Sequence, residues 1–552
     1  MSHPTGDVVK RVRHFRQILV WPLQLAPLTE DVQLRTHWSA LRMLRENNPW
    51  SEVADEFEVN PAQFQERHYS EFVTFLPYVR RFLYGEGKPA PQDDTVESHA
   101  DESPIRVFRR NDIKQVRVRL DSDNVRTFEI AHIDLYFFFD IDVVIPVVEI
   151  HADDMTLVEV ESTMHRFGRA YPAYWDAHGR GGHCVERAEW LAADGTVLAT
   201  SDYEDKEKYL SYVCVHRAPR FASHWAFLLH PLVPEHSDDA GLVRYQQVEY
   251  ARMPLLAYLA MEDARQLTRA DFVRLGLVTA PGGSSDLPFS ERHVRDFEDK
   301  YCYDQFWNDQ RAEHPGTRLM NCGHAFVMVG DASDPYFVDP HAGLLGQFRH
   351  QYFLLFLIPH FNKATLLMLS DRMADALNRL DITDIETVKV FKITIRSLLE
   401  TFLRFTHRYW FHEVSDQPQA RDLYKMTTNF LATDALYTEV RESIEDMSAY
   451  LDSDSLRRQA NTVVRLTVVT IFGLIGTVAT GFLGMNLFAL SELSALERTA
   501  IFFLVLIPTA LLTFYSVRKA KRLSDFLEAL SDERVPTKAV LKSMLDVWSR
   551  RR

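Results

Sequence analysis

The feature that most constrains this 552-residue chain is a pair of uncharged apolar runs near its C-terminus. The first run extends from Leu466 to Leu483 and the second from Ala500 to Val517, with a short loop between them. An α-helix of this length rises about 27 Å, which is close to the thickness of the hydrocarbon core of a bilayer. The sequence therefore predicts two membrane-spanning helices, in preference to a buried helical hairpin of a soluble domain.

Charged residues beside these runs predict their orientation. The loop carries Glu492, Glu497 and Arg498, whereas the outer flanks are rich in arginine and lysine. Because basic residues remain on the cytoplasmic side, we expect both long ends of the chain in the cytoplasm and the loop outside. The basic flanking residues are Arg457, Arg458, Arg465, Arg518, Lys519, Lys521 and Arg522.

A third apolar run begins at Tyr352, and it differs from the other two. Pro359, His360, Asn362 and Lys363 stand close together near its middle. An apolar run that is interrupted in this way predicts a core helix or a strand-to-helix junction rather than a third span.

Small residues recur along the first run at intervals of three and four, which places them on one helical face. This face suits close helix–helix packing, since small residues let backbones approach one another in a membrane. It also suits a water-filled pore lined by hydroxyls and exposed backbone. Two helices cannot enclose a channel, so both interpretations require an oligomer. The residues of this small-residue stripe are Thr470, Gly473, Thr477, Thr480 and Gly484.

The tripeptide Gly484-Met485-Asn486 follows the first run and resembles the signature of the CorA family of divalent-cation transporters. Its position makes the resemblance specific, because a short acidic loop, a last apolar helix and a basic flank follow it, as in the family. The proline-free stretch that precedes the first run resembles the family's stalk helix. The resemblance extends from about Thr387 to Leu523.

The resemblance implies a CorA-like homopentamer in the bacterial inner membrane that moves divalent cations, above all Mg²⁺. The fold class is then a membrane α-helical C-terminal part, with two transmembrane helices per chain and long stalk helices, joined to a large cytoplasmic α/β domain. The implied partners are further copies of the chain, membrane lipid and divalent cations. No cofactor is expected beyond transported or regulatory Mg²⁺, Zn²⁺ or another divalent cation.

The resemblance also assigns roles to single residues. Gly484, Met485 and Asn486 would form the selectivity filter. A ring of Asn486 carbonyls could accept hydrogen bonds from the waters of hydrated Mg²⁺, which sheds them reluctantly, and a neutral ring would let the ion leave. Glu492 would attract cations at the outer mouth, or is simply a solvated loop charge, and Asn461 would lie at the cytoplasmic entrance. The pore itself would be lined by Thr470, Gly473, Thr477 and Thr480.

Some positions depart from the family pattern. Leu483 stands where the family commonly has an aromatic residue, and the outer loop lacks the family's proline. The regulatory acidic residues of the family cannot be placed, although Glu442, Glu445 and Asp446 are candidates. Charges on a solvated stalk face are the simpler account of these three residues.

Composition excludes several classes of protein. A formal net charge of -15 argues against nucleic acid as a partner. Four cysteines are too few for a disulfide scaffold and fit a reducing compartment. The N-terminal sequence has no uninterrupted apolar core followed by a cleavage site, so no secretory signal is expected there.

The rest of the chain divides by texture. We expect a hairpin about Asp194-Gly195, a strand in KYLSYVCVHRAP, and a strand pair in HAFVMVGDASDPYFVDP that turns at Asp331 to Pro335. The expected divisions are an N-terminal helical region at 1–84, an acidic linker at 85–104, a cytoplasmic α/β domain at 105–380, a helical stalk at 381–465, the first transmembrane helix with its motif at 466–486, an external loop at 487–499, the second transmembrane helix at 500–517 and a basic cytoplasmic tail at 518–552.

No motif indicates catalysis, so the chain is not expected to be an enzyme. Three Cys/His pairs, at His183-Cys184, Cys214 with His216, and Cys322 with His324, could form a zinc site only if the fold gathered them. Two functional alternatives to Mg²⁺ transport remain open. One is a ligand-gated or signalling channel whose enlarged cytoplasmic domain senses a small molecule or partner. The other is a Zn²⁺ transporter of the same family, with or without coupling to protons. A non-conducting scaffold is a third.

Overall fold

The computed structural model describes residues 9–27, 36–44, 48–53, 66–85, 104–121, 124–283, 287, 289–307, 316–381, 384–484, 494, 496–497, 499–512 and 515. The chain divides into two compact units, Met1–Glu442 and Ser443–Arg552. We call them the N-terminal unit and the C-terminal unit.

The strands all belong to the N-terminal unit. In chain order they are β1 (Arg11–Val20), β2 (Leu23–Leu25), β3 (Trp50–Glu52), β4 (Ile105–Arg110), β5 (Gln115–Asp121), β6 (Asn124–Phe138), β7 (Ile141–Thr156), β8 (Arg187–Leu191), β9 (Val197–Thr200), β10 (Val233–Pro234), β11 (Arg244–Gln247), β12 (Leu255–Met261), β13 (Cys302–Tyr303), β14 (Arg318–Asn321) and β15 (Ala325–Asp331).

The helices are spread along the whole described chain. They are α1 (His37–Met43), α2 (Glu66–Thr74), α3 (Pro77–Tyr84), α4 (Leu157–Arg166), α5 (Lys206–His216), α6 (Ser223–Leu229), α7 (Arg269–Leu277), α8 (Glu291–Tyr301), α9 (Pro335–Val338), α10 (Leu344–Gln347), α11 (Phe353–Asn378), α12 (Ile385–Arg408), α13 (Pro418–Leu431), α14 (Thr433–Gly484) and α15 (Thr499–Leu512). A 3₁₀ turn spans Ala264–Gln266, and a π-helical turn, Phe348–Tyr352, joins α10 to α11.

One mixed sheet organises the N-terminal unit. Its main path runs β13-β14-β15-β12-β1-β7-β6-β5-β8-β9, with β2 and β4 attached to β7 and β6. Neighbouring strands are antiparallel except in two pairs, β12 with β15 and β10 with β11. The sheet confirms the prediction of a large sheet-containing domain.

Both faces of the sheet are covered because side chains alternate between them along each strand. In β1, Phe15 and Leu19 belong to the main apolar core, and Leu19 packs beneath Gly168, just beyond α4. On the opposite face α11 packs against β7, and the ring of Phe361 stacks on Phe138 of β6 with centroids 3.9 Å apart. The N-terminal unit is therefore an α/β layer structure.

The interrupted apolar run that begins at Tyr352 forms α11. Leu344–Asn378 is long and apolar enough by composition to cross a membrane. However, 78% of its most apolar 18-residue stretch is buried inside the protein. His360 and Asn362 are also buried, and His360 Nδ1 lies 2.8 Å from the Phe356 carbonyl oxygen. This burial agrees with the predicted core helix.

The interpretation of residues 1–84 as a helical region was wrong in part. Helices α1, α2 and α3 occur there, but β1 lies between β7 and β12 in the middle of the sheet. Its first half contains basic residues around Val12 and Phe15, and residues 17–20 are all buried, as in a strand covered on both faces. These residues therefore belong to the α/β fold rather than to a separate helical part.

Two local predictions also need correction. KYLSYVCVHRAP was expected to form a strand, but Lys206–His216 is helical, with the Asp205 side chain accepting from the Lys208 amide at 3.3 Å. The segment after Asp331 was expected to turn into a second strand, but it forms the short helix α9, capped by Asp334. The hairpin about Asp194-Gly195 is confirmed, since β8 and β9 pair antiparallel and Gly195 has a φ of +82°.

Candidate functional site

Helix α14 carries the small-residue stripe. It runs without interruption for 52 residues, from Thr433 to Gly484, and contains no proline. At 1.5 Å per residue it is about 78 Å long. The part beyond Leu466 has no ionisable side chain, so a continuous helix presents both a polar and an apolar stretch.

The threonine hydroxyls of the stripe, Thr470, Thr477 and Thr480, bond back to the preceding turn. Thr470 Oγ1 donates to the Leu466 carbonyl at 2.8 Å, and Thr477 Oγ1 donates to the Gly473 carbonyl at 2.9 Å. Once the hydroxyl hydrogen is committed in this way, the oxygen presents only its lone pairs outwards. A row of such oxygens can accept hydrogen bonds from water, including water bound to a cation.

Helices α14 and α15 of the C-terminal unit meet at a glycine outside the stripe. A Cβ atom built on Gly476 would lie 2.5 Å from Cγ2 of Thr509, closer than atoms can approach without displacement. Thr509 is held in place because its hydroxyl donates to the Val505 carbonyl at 2.8 Å. The absence of a side chain at Gly476 therefore permits this helix–helix contact, as small residues do in membrane helices.

The stripe itself lies beside this contact, on an adjacent face of the helix. Cβ atoms built on Gly473 and Gly484 would meet nothing within 4 Å, and the Thr470 and Thr477 side chains are exposed. Thr480, one helical turn beyond Gly476, is half-buried. At 100° per residue the middle of the stripe lies roughly a quarter-turn from Gly476. Packing between the two helices of one chain thus does not account for the stripe.

Large apolar side chains on both helices are exposed in the single chain. Leu474 of α14 is 63% exposed and Leu504 of α15 is 72% exposed. Apolar surface of this extent normally contacts lipid or another protein. Other exposed apolar side chains on the two helices include Leu466, Ile471, Phe502, Phe503, Ile507 and Leu511.

The structure does not describe the side chains of several predicted site residues. Met485, Asn486 and Glu492 lie outside the described residues, and Asn461 is described only as part of the α14 backbone. Of the predicted motif, Gly484 is seen as the last residue of α14. At the start of α15, Ser494 and Glu497 form a capping box, in which Glu497 Oε2 accepts from the Ser494 amide at 2.9 Å.

The three Cys/His pairs are not gathered into a zinc site. The described residues contain no group of three or more His, Cys, Asp or Glu side chains able to hold a metal ion. Cys214 is exposed on α5 and Cys184 is buried. Burial raises the pKa of the Cys184 thiol to about 12, so it is an unreactive core thiol.

Sequence reasoning missed Gly476 because it lies beside the stripe rather than on it. A signal was present, since Gly476 and Thr480 are small residues four apart, the spacing that favours close helix packing in membranes. That spacing does not say which of several small residues meets the neighbouring helix.

Comparison with known proteins gives a family match for the C-terminal region. Residues 367–519 match the family described as CorA-like Mg²⁺ transporter protein. No curated protein and no solved structure gives a significant match to the chain. The match begins within α11 and includes α12, α13, α14 and α15, so it confirms the resemblance that the tripeptide and the two apolar runs indicate.

Proposed function

We propose that this protein moves divalent cations, foremost Mg²⁺, across the bacterial inner membrane through a homopentameric pore lined by α14. In this proposal α14 and α15 are the two membrane spans, and both termini lie in the cytoplasm. The protein acts as a transporter or channel and not as an enzyme.

One observation supports the proposal above the others. The region that matches the CorA-like family contains a helix with a stripe of small and hydroxyl-bearing residues, and within the described part of the chain this stripe is exposed except at the half-buried Thr480. The two apolar helices already have their mutual contact at Gly476 and Thr509. The stripe is therefore available to other copies of the chain or to a water-filled pore between them.

The chemistry of the stripe suits a hydrated cation. Thr470 and Thr477 present hydroxyl oxygens whose hydrogens are already bonded to backbone carbonyls. The face is neutral, so an ion passes without being bound tightly. Asn486 would select the hydrated ion with its amide oxygen, Glu492 would concentrate cations outside, and Asn461 would line the inner entrance.

The test is Mg²⁺ entry into liposomes that contain the full chain and a Mg²⁺-sensitive dye. Asn486→Ala should abolish entry, because the selecting amide is lost. Thr477→Val should reduce entry by about ten-fold, since a methyl group replaces the oxygen that accepts from ion-bound water.

A matched control is available on the same helix. Thr467 is exposed and makes the same backward hydrogen bond, to the Val463 carbonyl at 2.9 Å, but it lies off the stripe. Thr467→Val should leave Mg²⁺ entry unchanged. Equal loss in both valine variants would contradict the assignment of the pore face, and no entry through an intact oligomer would favour the non-conducting scaffold.

A second candidate function is a ligand-gated channel, in which ion flow is the output of a signal. The size of the N-terminal unit and a polar cavity within it favour this alternative. If Mg²⁺ alone protects α14 from proteolysis, the transported ion regulates the pore by itself. Repeating the flux assay with Zn²⁺ and a pH-sensitive dye tests the remaining zinc variant.

A further inference from the structure

A cavity of about 310 Å³ lies in the N-terminal unit between the sheet and the beginning of α11. Its floor is one face of four neighbouring strands. Ile18 of β1 is paired with Glu149 of β7, and Glu149 is paired with His132 of β6. In the adjacent row Asp134 of β6 is paired with Arg109 of β4. Cross-strand partners share a face, so these side chains lie together although they are distant in sequence.

Each carboxylate on this floor is paired with guanidinium groups. Glu149, with 4% of its side chain exposed, accepts from Arg16 Nη1 at 2.9 Å and from Arg349 Nε at 2.8 Å. Asp134 accepts from both Nε and Nη2 of Arg109, at 2.7 and 2.9 Å. Burial alone would raise the pKa of Glu149, but Arg349, Arg16 and His132 outweigh it and lower that pKa. The two floor carboxylates are therefore already paired with guanidinium groups.

The remaining polar groups of the lining also have partners within the protein. His132 Nε2 lies 3.1 Å from Arg349 Nη2, so it accepts a hydrogen bond and the ring is neutral. Burial lowers the pKa of His132, and so do Arg109 and Arg349. Together they outweigh Glu149 and Asp134, which raise it. Glu71, elsewhere on the wall, already accepts from the Tyr84 hydroxyl and has His350 Nδ1 at 3.1 Å.

The roof of the cavity is an unusual piece of backbone. Arg349 and His350 belong to the π-helical turn, Phe348–Tyr352, between α10 and α11. Such turns are rare and often occur at functional sites, because they redirect side chains that a regular helix would point elsewhere. Here the turn is anchored by Gln351, whose Nε2 donates to Ser70 Oγ at 3.2 Å, and by Tyr352, whose hydroxyl accepts from Gln419.

Arg349 has binding capacity left after its contact with Glu149. Its side chain is 19% exposed, and its Nη1 atom makes no hydrogen bond within the described part of the chain. Apolar side chains complete the lining next to it, namely Ile18, Val147, Phe353 and Leu354. A small polar site with an apolar wall is the usual composition of a ligand pocket.

We propose that this cavity binds a small organic anion, whose carboxylate or phosphate group meets Arg349 and whose apolar body lies against Phe353 and Leu354. A metal cation is the wrong occupant, because the three carboxylates of the lining, Glu71 included, already have partners and a cation would lie beside two lining arginines. The site is distinct from the α14 stripe and requires no ion transport in order to exist.

A route exists from this site to the helix that carries the stripe. The π-helical turn is bonded through Tyr352 to Gln419 of α13, and α13 is followed directly by α14 after the left-handed residue Ala432. Regulation of ion flow by the bound anion would follow this route, and that part of the inference rests on the proposed function. The binding site itself does not.

The test is titration calorimetry on the full chain in detergent with four small probes. Phenyl phosphate and benzoate combine an anion with an aromatic body, inorganic phosphate lacks the body, and benzylamine has the opposite charge. The structure predicts that one or both aromatic anions bind, more tightly than inorganic phosphate, and that benzylamine does not. The stronger of phenyl phosphate and benzoate identifies the preferred anionic group.

Variants identify the site. Arg349→Gln should weaken binding by about ten-fold or more, because a charge-assisted contact is lost, and Arg349→Lys should weaken it less. Arg295→Gln, an exposed arginine on α8, should have no effect. Unchanged melting temperatures without probe confirm that Arg349→Lys is folded, so its result stands if Arg349→Gln is unstable.

Three results would overturn the inference. These are benzylamine binding as tightly as the aromatic anions, the absence of binding by every anion at millimolar concentration, and equal affinity in the Arg349 variants and the Arg295 control. Mg²⁺ entry with and without phenyl phosphate then tests regulation separately. Binding without any flux leaves the site intact and contradicts the transport proposal instead.

Discussion

Helix α11 and the part of α14 beyond Leu466 are both rich in apolar residues, and they differ in their surroundings. In α11 the most apolar window is 78% buried, and its aromatic side chains pack on the sheet. In α14 Leu466, Ile471 and Leu474 are exposed, although Val468 is buried, and the described contact with α15 is made through Gly476. An apolar composition alone therefore does not identify a membrane helix. The exposed fraction of its apolar side chains is more informative.

The difference extends to how each unit handles polar groups. The N-terminal unit buries ionised side chains and pairs them, as Glu149 does with Arg16 and Arg349. In the apolar part of α14 the polar side chains are threonines, whose hydroxyls donate to backbone carbonyls of the same helix. A soluble core can neutralise charge with a distant partner, whereas a helix in lipid must satisfy its polar groups within itself.

The largest expected effect separates the two helices directly. Phe361→Ala should lower the free energy of unfolding of the N-terminal unit by about 3–5 kcal/mol, because it opens a cavity in the aromatic core of α11. Leu474→Ala on α14 should change it by less than about 0.5 kcal/mol, as expected for an exposed side chain. Urea unfolding can be followed by tryptophan fluorescence, since every tryptophan except Trp548 precedes Ser443. Equal effects would mean that the two helices have the same surroundings.

A slightly smaller effect is expected from the buried charges. Glu149→Gln leaves the guanidinium groups of Arg16 and Arg349 without a charged partner, which should cost about 3 kcal/mol. Glu439→Gln, at an exposed carboxylate on α14, is the matched control and should change stability by no more than about 0.5 kcal/mol. The melting temperature of each variant measures the difference. If Glu439→Gln lost as much stability as Glu149→Gln, the expected difference between buried and exposed carboxylates would be contradicted.

A pH effect should also be confined to the N-terminal unit. Burial, with Asp271 nearby, raises the pKa of Glu161 to about 8 from an ordinary value of 4.5. Since the folded state binds this proton more tightly, its stabilising contribution is complete below pH 4.5 and is lost as the pH rises to about 8. Between these limits the wild-type melting temperature should fall by a few degrees more than that of Glu161→Gln.

The exposed Glu207 on α5 provides the control for this experiment. Glu207→Gln should retain the wild-type dependence of melting temperature on pH, because the titrating group at Glu161 is still present. If Glu161→Gln and Glu207→Gln give parallel curves, the unpaired Oε1 of Glu161 is not the group responsible.

Local patterns predicted much of the fold. The β8–β9 hairpin followed from Asp194-Gly195, and the polar interruption at Pro359 and His360 marked α11 as a core helix. The strand β1 was missed because its place in the middle of the sheet depends on pairing with β7 and β12, more than 100 residues away in sequence. The helix α5 was read as a strand because its tyrosines and valines favour strands, whereas the Asp205 cap favours a helix.

The candidate sites were predictable to different degrees. The stripe of α14 repeats within one helix, so periodicity was enough to find it. The cavity combines Ile18, Arg109, Glu149 and Arg349, which come from three strands and a π-helical turn spread over more than 300 residues. No local pattern marks such a site, because its members become neighbours only through strand register. The sequence could suggest a sensing domain but not the residues that would sense.

The smallest expected effect decides between the two interpretations of the stripe. Gly476→Val should lower the temperature at which the detergent-solubilised oligomer dissociates, because the new side chain collides with Thr509, at a cost of about 1–2 kcal/mol. A Cβ atom on Gly473 meets nothing within 4 Å in the described part of the chain, so Gly473→Val should keep that temperature while reducing Mg²⁺ entry, since it narrows the proposed pore face. The reverse pattern, dissociation in Gly473→Val with Gly476→Val unaffected, would make the stripe a packing face between chains. Mg²⁺ entry would then need another route, because a face closed by packed side chains has no room for a hydrated ion.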